Sequence, residues 1–563
     1  MKRIIFLIIG VLLVLGLVLP GCGGTPGPTD TRPAIKIGIA GPIGYAQGDH
    51  HLYGAELARD QINGSNFTTD GVTVNGTLYK ITLVEIHTNE VLDPTGADGL
   101  AAMTSKIGQV DFVLGGFRTE AVLAYRDVVM NANKLFLDCG AATELLQHSV
   151  ADNYAKYKYW VKATPPNELF LSANTGKMLN MIVLGARTAT GNASFTPKIL
   201  VLAENAAWTL LSRYGAYVNY GAKGYLAGWN NNATNCGLPG IFTVSTVATQ
   251  TEMNSVLNLM TAANATPNMI MTIMSGPCGV TYANTVGTYF NSSILSFGIN
   301  VEAQRQGFPG VAQYALGMIF QDAWAPGIAI SNTTAQFVSD FVAAYGTRPI
   351  YTAGTYDALN ALVQAMETAN SLSSAAIIPV YETQTYLSTA GPSAVYPKWD
   401  GVNNGTNPYY GLPGYTQPST YALNSTQVLA LYPWLTSAKY SDNVTVSNWT
   451  WFANNWTMAP HTTHDLVYGP AWVTGTFSQW QNIGGTLTNK GIWPKAWYPG
   501  PFANLTTPQF VAGVLPGLNA TTLYSLQSAG LWDQYGWWDF EYQGTGTISL
   551  SPWIAWMAAN GMI

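Results

Sequence analysis

The apolar positions of this chain follow two alternating patterns from residue 34 onward. Short apolar runs, typical of buried strands, are each followed by a loop and by a stretch in which apolar residues recur every three or four positions, as on one face of a helix. The first strand is predicted at 35–41 and the first helix at 52–62, with further strands at 81–86, 112–114 and 134–137. Strands that alternate with helices indicate an α/β lobe built on a parallel sheet.

The same alternation restarts after Thr164-Pro165-Pro166. Two consecutive prolines lack the amide hydrogens that a helix interior or a central strand requires, so the first lobe ends near this point. Strands are predicted at 199–202, 241–247, 269–274 and 294–297, with helices at 208–220, 252–263 and 280–290. This part of the chain is a second α/β lobe, and an apolar stripe over 351–369 predicts one further helix.

The pattern changes beyond residue 395, where Pro, Gly, Asn, Tyr and Trp replace the helical periodicity. We interpret 395–463 as an insertion and 500–563 as a C-terminal extension. The expected organisation is lobe 1 at 34–162 and 304–378, and lobe 2 at 163–303, 379–394 and 464–499. A last apolar group forms either a helix that packs on the body, which we favour, or an apolar surface segment; its residues are Trp553, Trp556, Met557 and Met562.

The first residues have the features of an export signal. A positive start at Lys2-Arg3 precedes a 16-residue apolar run over 4–19, and Leu19-Pro20-Gly21-Cys22 follows. This stretch resembles a lipobox, in which the cysteine becomes the lipidated first residue, although its proline departs from the usual small residue. The alternative is an uncleaved membrane anchor, for which the run is slightly shorter than the roughly 18 residues of a span. We expect a signal over 1–22 and a flexible tether over 23–33. A lipidated cysteine and an uncleaved anchor would both place the rest of the chain outside the membrane.

The composition is unusual for a cytoplasmic protein. Only 10% of the residues are charged, against an average of about 25%, and the net charge of −6 is spread over the chain. The chain has no Lys/Arg cluster and no aromatic-basic stripe. It therefore lacks the electrostatic footprint that phosphate contacts need, and we expect no nucleic acid partner.

The cysteines allow at most one internal disulfide. If Cys22 is lipidated, Cys139, Cys236 and Cys278 remain, and we expect Cys236 to pair with Cys278. No Cys-x-x-Cys pair supports a zinc or redox site. We expect neither a metal nor a cofactor.

Glycosylation acceptors are frequent along the chain. An Asn-x-Ser/Thr sequence predicts a glycosylated outer surface, and together with a lipobox it suggests an archaeal cell surface. The alternative is that a polar, Thr-rich chain contains incidental matches. The sequence occurs at Asn63, Asn66, Asn75, Asn192, Asn232, Asn264, Asn291, Asn332, Asn404, Asn424, Asn443, Asn448, Asn455, Asn504 and Asn519.

A series of short motifs follows a fixed order over about 34–390. The motifs are Ile37-Gly-Ile-Ala-Gly-Pro-Ile43, Gly54-Ala-Glu-Leu-Ala58 with Gln61-Ile-Asn63, Leu114-Gly-Gly116, Gly140-Ala-Ala-Thr-Glu-Leu145 and Tyr356-Asp-Ala-Leu359, with a weaker echo at 464–469 and 479–480. Together they resemble the leucine/isoleucine/valine-binding type of periplasmic binding proteins, which are substrate-binding lipoproteins of ABC transporters.

The resemblance implies an α/β fold of two Rossmann-like lobes joined by three crossover segments, the type I fold of periplasmic binding proteins. It also implies that a small ligand, an amino acid of the branched-chain type or a related amide, is held between the lobes and delivered to the membrane permease of an ABC importer. Such a cleft is physically reasonable, because strand-end loops and helix N-termini offer free N–H groups to a ligand carboxylate.

The resemblance also implies roles for residues of lobe 1. Ala141 and Thr143 match positions whose backbone and hydroxyl hold the ligand's carboxylate and amine. Arg118, Thr119 and Glu120 occupy a loop in which relatives carry a Ser-rich run. Two roles are open for Arg118, which could clamp a carboxylate in a bidentate manner or could pair with Glu120 at the rim.

In lobe 2, Trp208 falls where relatives place a cleft tyrosine, and it offers an apolar wall or a cation–π face. Asn300 falls where relatives place a carboxylate that binds the ligand's amine. Because an asparagine cannot neutralise a charge, either Glu302 takes over or the ligand lacks a free ammonium group. The other residues expected in the loops that line the cleft are Tyr45, Gln47, Ser275, Gly276 and Cys278.

Other classes of function find less support in the sequence. The chain has no Gly-x-Ser-x-Gly, His-Glu-x-x-His or phosphate loop, so we expect no enzyme. We interpret Asp49-His50-His51, His461 and His464-Asp465 as surface residues rather than metal ligands. Two alternatives stay open: a ligand-binding sensor module, and a structural surface protein that has kept the fold and lost its ligand.

The lipobox predicts that the mature chain begins at a lipidated Cys22. Intact-mass analysis of the membrane-bound protein is expected to show a chain that lacks residues 1–21, and a Cys22→Ser variant is expected largely in the medium, because it cannot receive the lipid. A mass that still includes residues 1–21 would reject cleavage.

Overall fold

The computed structural model describes residues 30–93, 95–164, 167–228, 234–263, 266–331, 333–384, 386–393, 395, 464–466, 475–493 and 548–563. Within these ranges no helix is both long enough and apolar enough to cross a membrane. Cys22, His461, residues 396–463 of the insertion and residues 500–547 of the extension lie outside the described residues.

Lobe 1 is a six-stranded sheet flanked by helices. Its strands are β1 (Ala34–Gly41), β2 (Val72–Val74), β3 (Thr77–His87), β4 (Phe112–Gly115), β5 (Phe136–Asp138) and β6 (Trp160–Lys162). The order is β2-β3-β1-β4-β5-β6, parallel except for β2. Its first five helices are α1 (Ala46–Asn63), α2 (Ala97–Lys106), α3 (Thr119–Asn131), α4 (Glu144–Asp152) and α5 (Tyr154–Tyr157).

Lobe 2 is a seven-stranded sheet. Its strands are β7 (Ile199–Glu204), β8 (Ile241–Val244), β9 (Met269–Met274), β10 (Leu295–Asn300), β11 (Ile319–Asp322), β14 (Thr476–Ile483) and β15 (Thr486–Trp493), in the order β15-β14-β11-β10-β9-β7-β8. The five strands from β7 to β11 are parallel, and the last two form an antiparallel hairpin at the edge. The helices are α6 (Glu168–Thr190), α7 (Leu210–Ala222), α8 (Gln250–Ala263) and α9 (Cys278–Tyr289).

A second set of elements follows β11 and returns to lobe 1. It consists of α10 (Thr334–Tyr345), α11 (Thr355–Ala369), α12 (Ser374–Tyr381) and the hairpin β12 (Tyr386–Ser388) and β13 (Gly391–Ser393). Helix α11 packs on α1, and its residues Leu359, Leu362 and Met366 are fully buried in the core of lobe 1. The stripe over 351–369 therefore forms the predicted helix, preceded by a short 3₁₀ turn at Tyr351–Gly354.

The central strands are apolar on both sides because helices cover both faces of each sheet. Ile199, Val201 and Ala203 of β7 face one buried cluster, and Leu200 and Leu202 face another on the opposite side. The predicted strands all form, with ends that differ by a few residues. The α/β architecture expected from the sequence is confirmed.

Three segments cross between the lobes, as expected. The first joins β6 to α6 through 163–167, and the second joins β11 to α10 through 323–333. The third starts at Leu466, which forms a backbone bridge with Val395 of lobe 1, and leads to β14 of lobe 2, with 467–474 outside the described residues.

The lobe boundaries differ from the expected ones in two places. Strand β11 pairs with β10, so residues 304–322 belong to lobe 2 and not to lobe 1. Helix α12 packs on α11, and Thr389 of the β12–β13 hairpin is hydrogen-bonded to Asp357 of α11, so 379–393 belong to lobe 1 and not to lobe 2. Strand β11 has only two apolar residues, Ile319 and Phe320, before Gln321 and Asp322, so its pattern does not predict a strand.

The expected Cys236–Cys278 disulfide is not formed. Cys139, Cys236 and Cys278 are all free thiols. The second sheet separates the two proposed partners, since Cys236 packs against the cluster on one of its faces and Cys278 belongs to the cluster on the other. Their Sγ atoms instead donate to the carbonyl oxygens of Ile241 and Gly276.

Five of the glycosylation acceptors lie in the described residues. The side chains of Asn66, Asn75 and Asn291 are exposed, and that of Asn192 is half-buried. The side-chain amide of Asn63 already forms two hydrogen bonds within the protein. Its Nδ2 donates to the Ile81 carbonyl at 2.9 Å, and its Oδ1 accepts from the Ile81 amide at 2.7 Å. The other acceptors lie outside the described residues: Asn232, Asn264, Asn332, Asn404, Asn424, Asn443, Asn448, Asn455, Asn504 and Asn519.

The last helix, α13 (Ser551–Ala559), packs on lobe 2. Trp553 is 2% exposed, its Nε1 donates to the Asn268 carbonyl at 2.8 Å, and its ring meets Phe195 edge-on. Met557 is fully buried beside it. Of the two possibilities for this segment, packing on the body is the one that the structure contains.

Trp553→Ala is expected to lower the free energy of unfolding by about 3–5 kcal/mol, because it leaves a large cavity under α13. The half-buried Trp556→Ala is the matched control and is expected to lose less than half as much. Urea unfolding followed by circular dichroism measures both values. Equal losses for the two variants would contradict the packing described for α13.

Candidate ligand-binding cleft

The carboxyl ends of the parallel strands of both lobes point toward each other, where ligands of open α/β sheets lie. In lobe 1, the loops after β4 and β5 come into close contact. A Cβ atom on Gly140 would collide with the carbonyl oxygen of Gly116, and Gly116 itself has a φ of 88°, which favours glycine. Glycine at these two positions lets both loops reach the cleft side by side.

Glu90 fixes the loop after β4. Its carboxylate is buried and accepts hydrogen bonds from the backbone amides of Phe117 and Arg118, from the Tyr125 hydroxyl at 3.1 Å and from the Thr88 hydroxyl at 2.6 Å. Burial raises the pKa of Glu90, and these four donors oppose that shift. The loop is thereby held with Arg118 directed toward lobe 2.

Arg118 and Glu120 bridge the two lobes. The Arg118 Nε donates to Glu120 Oε2 at 3.1 Å, and its Nη1 donates to Thr246 Oγ1 of lobe 2 at 2.7 Å. Glu120 Oε1 in turn accepts from the backbone amide of Ala207 in lobe 2 at 2.9 Å. Of the two roles open for Arg118, pairing with Glu120 is the one present, but the pair lies in the interface between the lobes rather than at a solvated rim.

A second bridge is formed by Gln47 of lobe 1. Its Nε2 donates to the Ser275 carbonyl at 2.9 Å and to Glu302 Oε1 at 2.8 Å, both in lobe 2. Glu302 also accepts from Arg305 Nη1 at 2.5 Å. With the Arg118–Glu120 bridge, this contact holds the strand ends of the two lobes together.

The interlobe cavity lies behind these bridges and is walled by both lobes and by the crossing segments. The empty space between its walls is about 1360 Å³, a volume that includes space open to solvent. Among the described residues its wall carries four charged side chains, Arg118, Lys162, Asp322 and Asp357, and three amide side chains, Gln304, Gln321 and Gln384. Its aromatic residues are Phe117, Trp208, Trp324, Tyr351, Tyr381 and Tyr386.

Lys162 is the buried cation of the wall. It is 2% exposed; its Nζ donates to the Ala141 carbonyl and lies 3.6 Å from Asp138 Oδ2. Burial lowers the pKa of Lys162, and Asp138 and Asp465 oppose that shift. Asp138 Oδ1 accepts from the backbone amides of Gly140 and Ala141, each at 3.0 Å.

Asp357 is a half-buried carboxylate of the cavity wall. It accepts from the Thr389 amide at 2.9 Å and from the Thr389 hydroxyl at 2.6 Å. Burial raises its pKa to about 6, against the opposing effect of those two hydrogen bonds. The Asp357 carboxylate therefore changes its charge close to neutral pH.

The structure brings part of the predicted site together. Arg118, Trp208 and Ser275 line the cavity, while Gln47, Glu120 and Glu302 form the bridges next to it. Tyr45 is half-buried and packs against the cluster that contains Trp208, but it is not part of the wall.

Other predicted residues lie apart from the wall. Ala141 and Thr143 are buried in lobe 1, where the Ala141 amide binds Asp138 and the Thr143 hydroxyl accepts from the Leu145 amide at 3.3 Å and so caps α4. Thr119 is 1% exposed, and Gly276 packs tightly against Thr246. Neither residue reaches the cavity.

Asn300 does not lie at the cavity wall. It is fully buried against α9, where its Nδ2 donates to the Gly279 carbonyl at 3.3 Å and a side chain at Gly279 would collide with it. Cys278 begins the same helix and is buried on the same side of the sheet. Glu302, the other candidate for a partner of the ligand's amine, is the one that lies at the cleft.

The interpretation of His50, His51 and His464-Asp465 as surface residues is wrong, and His461 lies outside the described residues. His50 is 5% exposed and His51 is fully buried on α1, where their Nδ1 atoms bind the Ile350 amide and the Thr352 carbonyl. Burial lowers the pKa of His50 to about 3 and that of His51 to about 4. His464 and Asp465 are also fully buried, and His464 Nε2 lies 2.8 Å from Glu382 Oε1. These pairs join helices and crossing segments.

Sequence reasoning missed several residues of the cleft. The Glu204 carboxylate accepts hydrogen bonds from the Ser275 amide at 2.8 Å, from the Ser275 hydroxyl at 2.7 Å and from the Thr246 hydroxyl. Both Glu204 and Thr246 stand at the carboxyl ends of strands that were predicted, so the strand-end rule was a usable signal for them. Asp357 and Tyr351 had no such signal, because neither follows a strand. Tyr351 lies in the 3₁₀ turn before α11, and Asp357 lies in α11 itself.

No protein-family model and no curated protein matches the chain. Solved structures do match it, at low identity. The branched-chain amino acid transporter substrate binding protein LivJ of Streptococcus pneumoniae, in complex with isoleucine, is 13% identical with a TM-score of 0.48, over 81% of this chain and 99% of its own. The leucine binding protein LivK of Thermotoga maritima is 16% identical with a TM-score of 0.48, over 64% of this chain and 91% of its own.

A third similar structure is an ABC transporter solute binding protein of Rhodopseudomonas palustris, in complex with 3,4-dihydroxybenzoic acid. It is 15% identical with a TM-score of 0.45, over 64% of this chain and 88% of its own. These proteins are what the chain is similar to, and its own two sheets and three crossing segments define its fold.

The raised pKa of Asp357 predicts a pH dependence of stability. A carboxyl whose folded pKa of about 6 lies above its ordinary value of 3.8 favours the folded state below the ordinary value, and this advantage is lost as the pH rises through 6. Between pH 4 and pH 7 the native chain is expected to lose about 2 kcal/mol of unfolding free energy that an Asp357→Asn variant does not lose. Urea unfolding of both proteins at the two pH values measures the difference, and parallel pH profiles would show that the pKa of Asp357 is not raised in the folded state.

Proposed function

We propose that the chain is an extracytoplasmic solute-binding protein of an ABC importer, which captures a small molecule between its two lobes without chemical change. The observation that supports this most is a cavity whose wall comes from the strand ends of both lobes and from the segments that cross between them. A ligand in such a cavity contacts both lobes at once, so it favours the arrangement in which they are closed.

The bridges between the lobes support capture by closure. Arg118, Glu120 and Gln47 each reach from lobe 1 to hydrogen-bond partners in lobe 2. Opening the lobes would expose these buried polar groups to water and break the bridges together. A protein of this kind has two distinct surfaces, open and closed, and a membrane permease can recognise the closed one.

The chemistry of the wall supports binding rather than catalysis. In the part of the chain that the structure describes, the wall carries no histidine and no cysteine. Its lysine is held by Asp138 and by the Ala141 carbonyl, so it is not a free base or nucleophile.

The proposal includes an anchor on the outer face of the cytoplasmic membrane, through a lipid on Cys22 or through a retained N-terminal helix. It also includes an amino acid, an amide or a related small molecule as the ligand class favoured by the sequence. Trp208, which is 6% exposed, supplies an aromatic face for such a ligand. The competing possibility, a structural surface protein, gives no reason for a cavity between the lobes.

Native mass spectrometry of the purified full-length chain tests the proposal. We expect an additional mass of a small molecule that is lost under denaturing conditions. Trp208→Ala is expected to reduce its retention by about tenfold or more, since buried tryptophans dominate many binding sites. Trp556→Ala on α13, outside the cavity wall, is the control. A chain without bound mass, whose melting temperature also stays unchanged in amino acids, amides and aromatic compounds, would favour the structural surface protein.

A further inference from the structure

The charged groups at the cleft end of the cavity are paired with one another. The Arg118 guanidinium binds Glu120 and Thr246, and Glu120 also takes the amide of Ala207. The Glu302 carboxylate accepts hydrogen bonds from the side chains of Gln47 and Arg305. The protein therefore makes with its own groups the cross-lobe contacts that the charged ends of a zwitterionic ligand would make. These groups are the Glu120 and Glu302 carboxylates and the Arg118 guanidinium.

The backbone amides that could receive an anionic ligand are also occupied. The Glu90 carboxylate accepts hydrogen bonds from the amides of Phe117 and Arg118 after β4. The Asp138 carboxylate accepts hydrogen bonds from the amides of Gly140 and Ala141 after β5. These are the strand-end N–H groups that normally make such a cleft suitable for a ligand carboxylate. In this chain they already bind carboxylates of the protein itself.

The remaining charged groups of the wall also have partners within the protein, an ion pair for Lys162 and neutral donors for the two aspartates. Lys162 binds Asp138 and the Ala141 carbonyl, and Asp357 binds Thr389 twice. Asp322 accepts from the Trp324 amide and from the Ser478 hydroxyl, each at 3.1 Å. Among the described residues, all four charged side chains of the wall thus have partners within the protein.

The groups without such partners are neutral. Trp208 Nε1, Gln321 Oε1 and Gln384 Oε1 have no hydrogen-bond partner, and all three residues belong to the wall. Around them lie the aromatic residues Phe117, Trp324, Tyr351 and Tyr386. Flat rings and neutral amides suit a planar apolar body that carries a few uncharged hydrogen-bonding groups.

We infer that the cavity selects a ligand without ionised groups, with a planar and mainly apolar body. An anion would have to enter without a free counter-charge, because Arg118 and Lys162 are both ion-paired. A cation would have to compete for Asp322 and Asp357, whose carboxylates already accept two hydrogen bonds each, and both processes are costly. A neutral ligand leaves every pair in place. The inference rests on the proposed function and narrows its ligand class from amino acids toward amides and other uncharged compounds.

The test uses four probes that share one benzene ring at pH 7: neutral benzamide, anionic benzoate, cationic benzylamine and zwitterionic phenylalanine. Calorimetric titration of the full-length chain is expected to show benzamide binding at least about tenfold more tightly than each of the others. If an ionised probe binds as tightly as benzamide, the inference is overturned and the proposed function stands. If benzamide does not bind at about 1 mM, the inference is also overturned, and bound mass in native spectra decides separately on the proposed function.

Two variants test the cause of the selection. Glu120→Gln removes the ion-pair partner of Arg118, so the ratio of the affinity for benzoate to that for benzamide is expected to rise by about tenfold, whatever the loosened bridge does to both affinities. Arg118→Gln frees Glu120 and is expected to raise the affinity for benzylamine in the same way. Glu85→Gln, an exposed position on β3, makes the same charge change as Glu120→Gln and is expected to alter neither. If neither cleft variant gains affinity for its ion relative to benzamide while its circular dichroism spectrum is unchanged, internal pairing is not what excludes charged ligands.

Discussion

Carboxylates buried at the ends of parallel strands constrain this structure more than any other interaction. An ionised carboxylate that is removed from water without donors costs several kcal/mol, so each must find hydrogen bonds nearby. Glu90 and Asp138 find them in the backbone of the loops after β4 and β5, and this fixes the shape of both loops. Glu120 finds its donors partly in the other lobe. The requirement to satisfy charge thus shapes the cleft and joins its two sides.

Most of the fold could be predicted from the sequence, because central strands between two layers of helices must be apolar throughout. The strands β4, β7 and β9 are almost entirely apolar and are predicted, and β1 and β3 are predicted although polar residues interrupt their apolar runs. The strands β6 and β11 are not predicted, because each contains only two apolar residues within its bounds, which does not separate it from a loop. The β2–β3 hairpin had a usable signal in Asn75-Gly76, whose φ angles of 50° and 72° are those of a tight turn.

The site was less predictable, because its contacts join residues far apart in the chain. The sequence suggested the Arg118–Glu120 pair as one of two possibilities, since the residues are neighbours. Nothing in the sequence indicated that Thr246 and Ala207 would complete it from the other lobe. The family resemblance implies that Asn300, the last residue of β10, lies at the cleft, yet its side chain turns toward Gly279, where the lack of a side chain leaves room for it. Side-chain direction at a strand end depends on such packing and not on position alone.

The β14–β15 hairpin has a consequence for the order in which the protein folds. Its strand β14 pairs with β11, and the hydroxyl of Thr476 donates to the Asp322 carbonyl across a separation of 154 residues. During synthesis or export, β11 emerges long before its partner. Until residue 493 is available, the edge of the second sheet presents free backbone groups, the feature that promotes aggregation between chains. Lobe 1 has no such delay in its sheet, since β1 to β6 are consecutive in the chain, and we expect that sheet to form first, with lobe 2 completed only when the hairpin covers its edge.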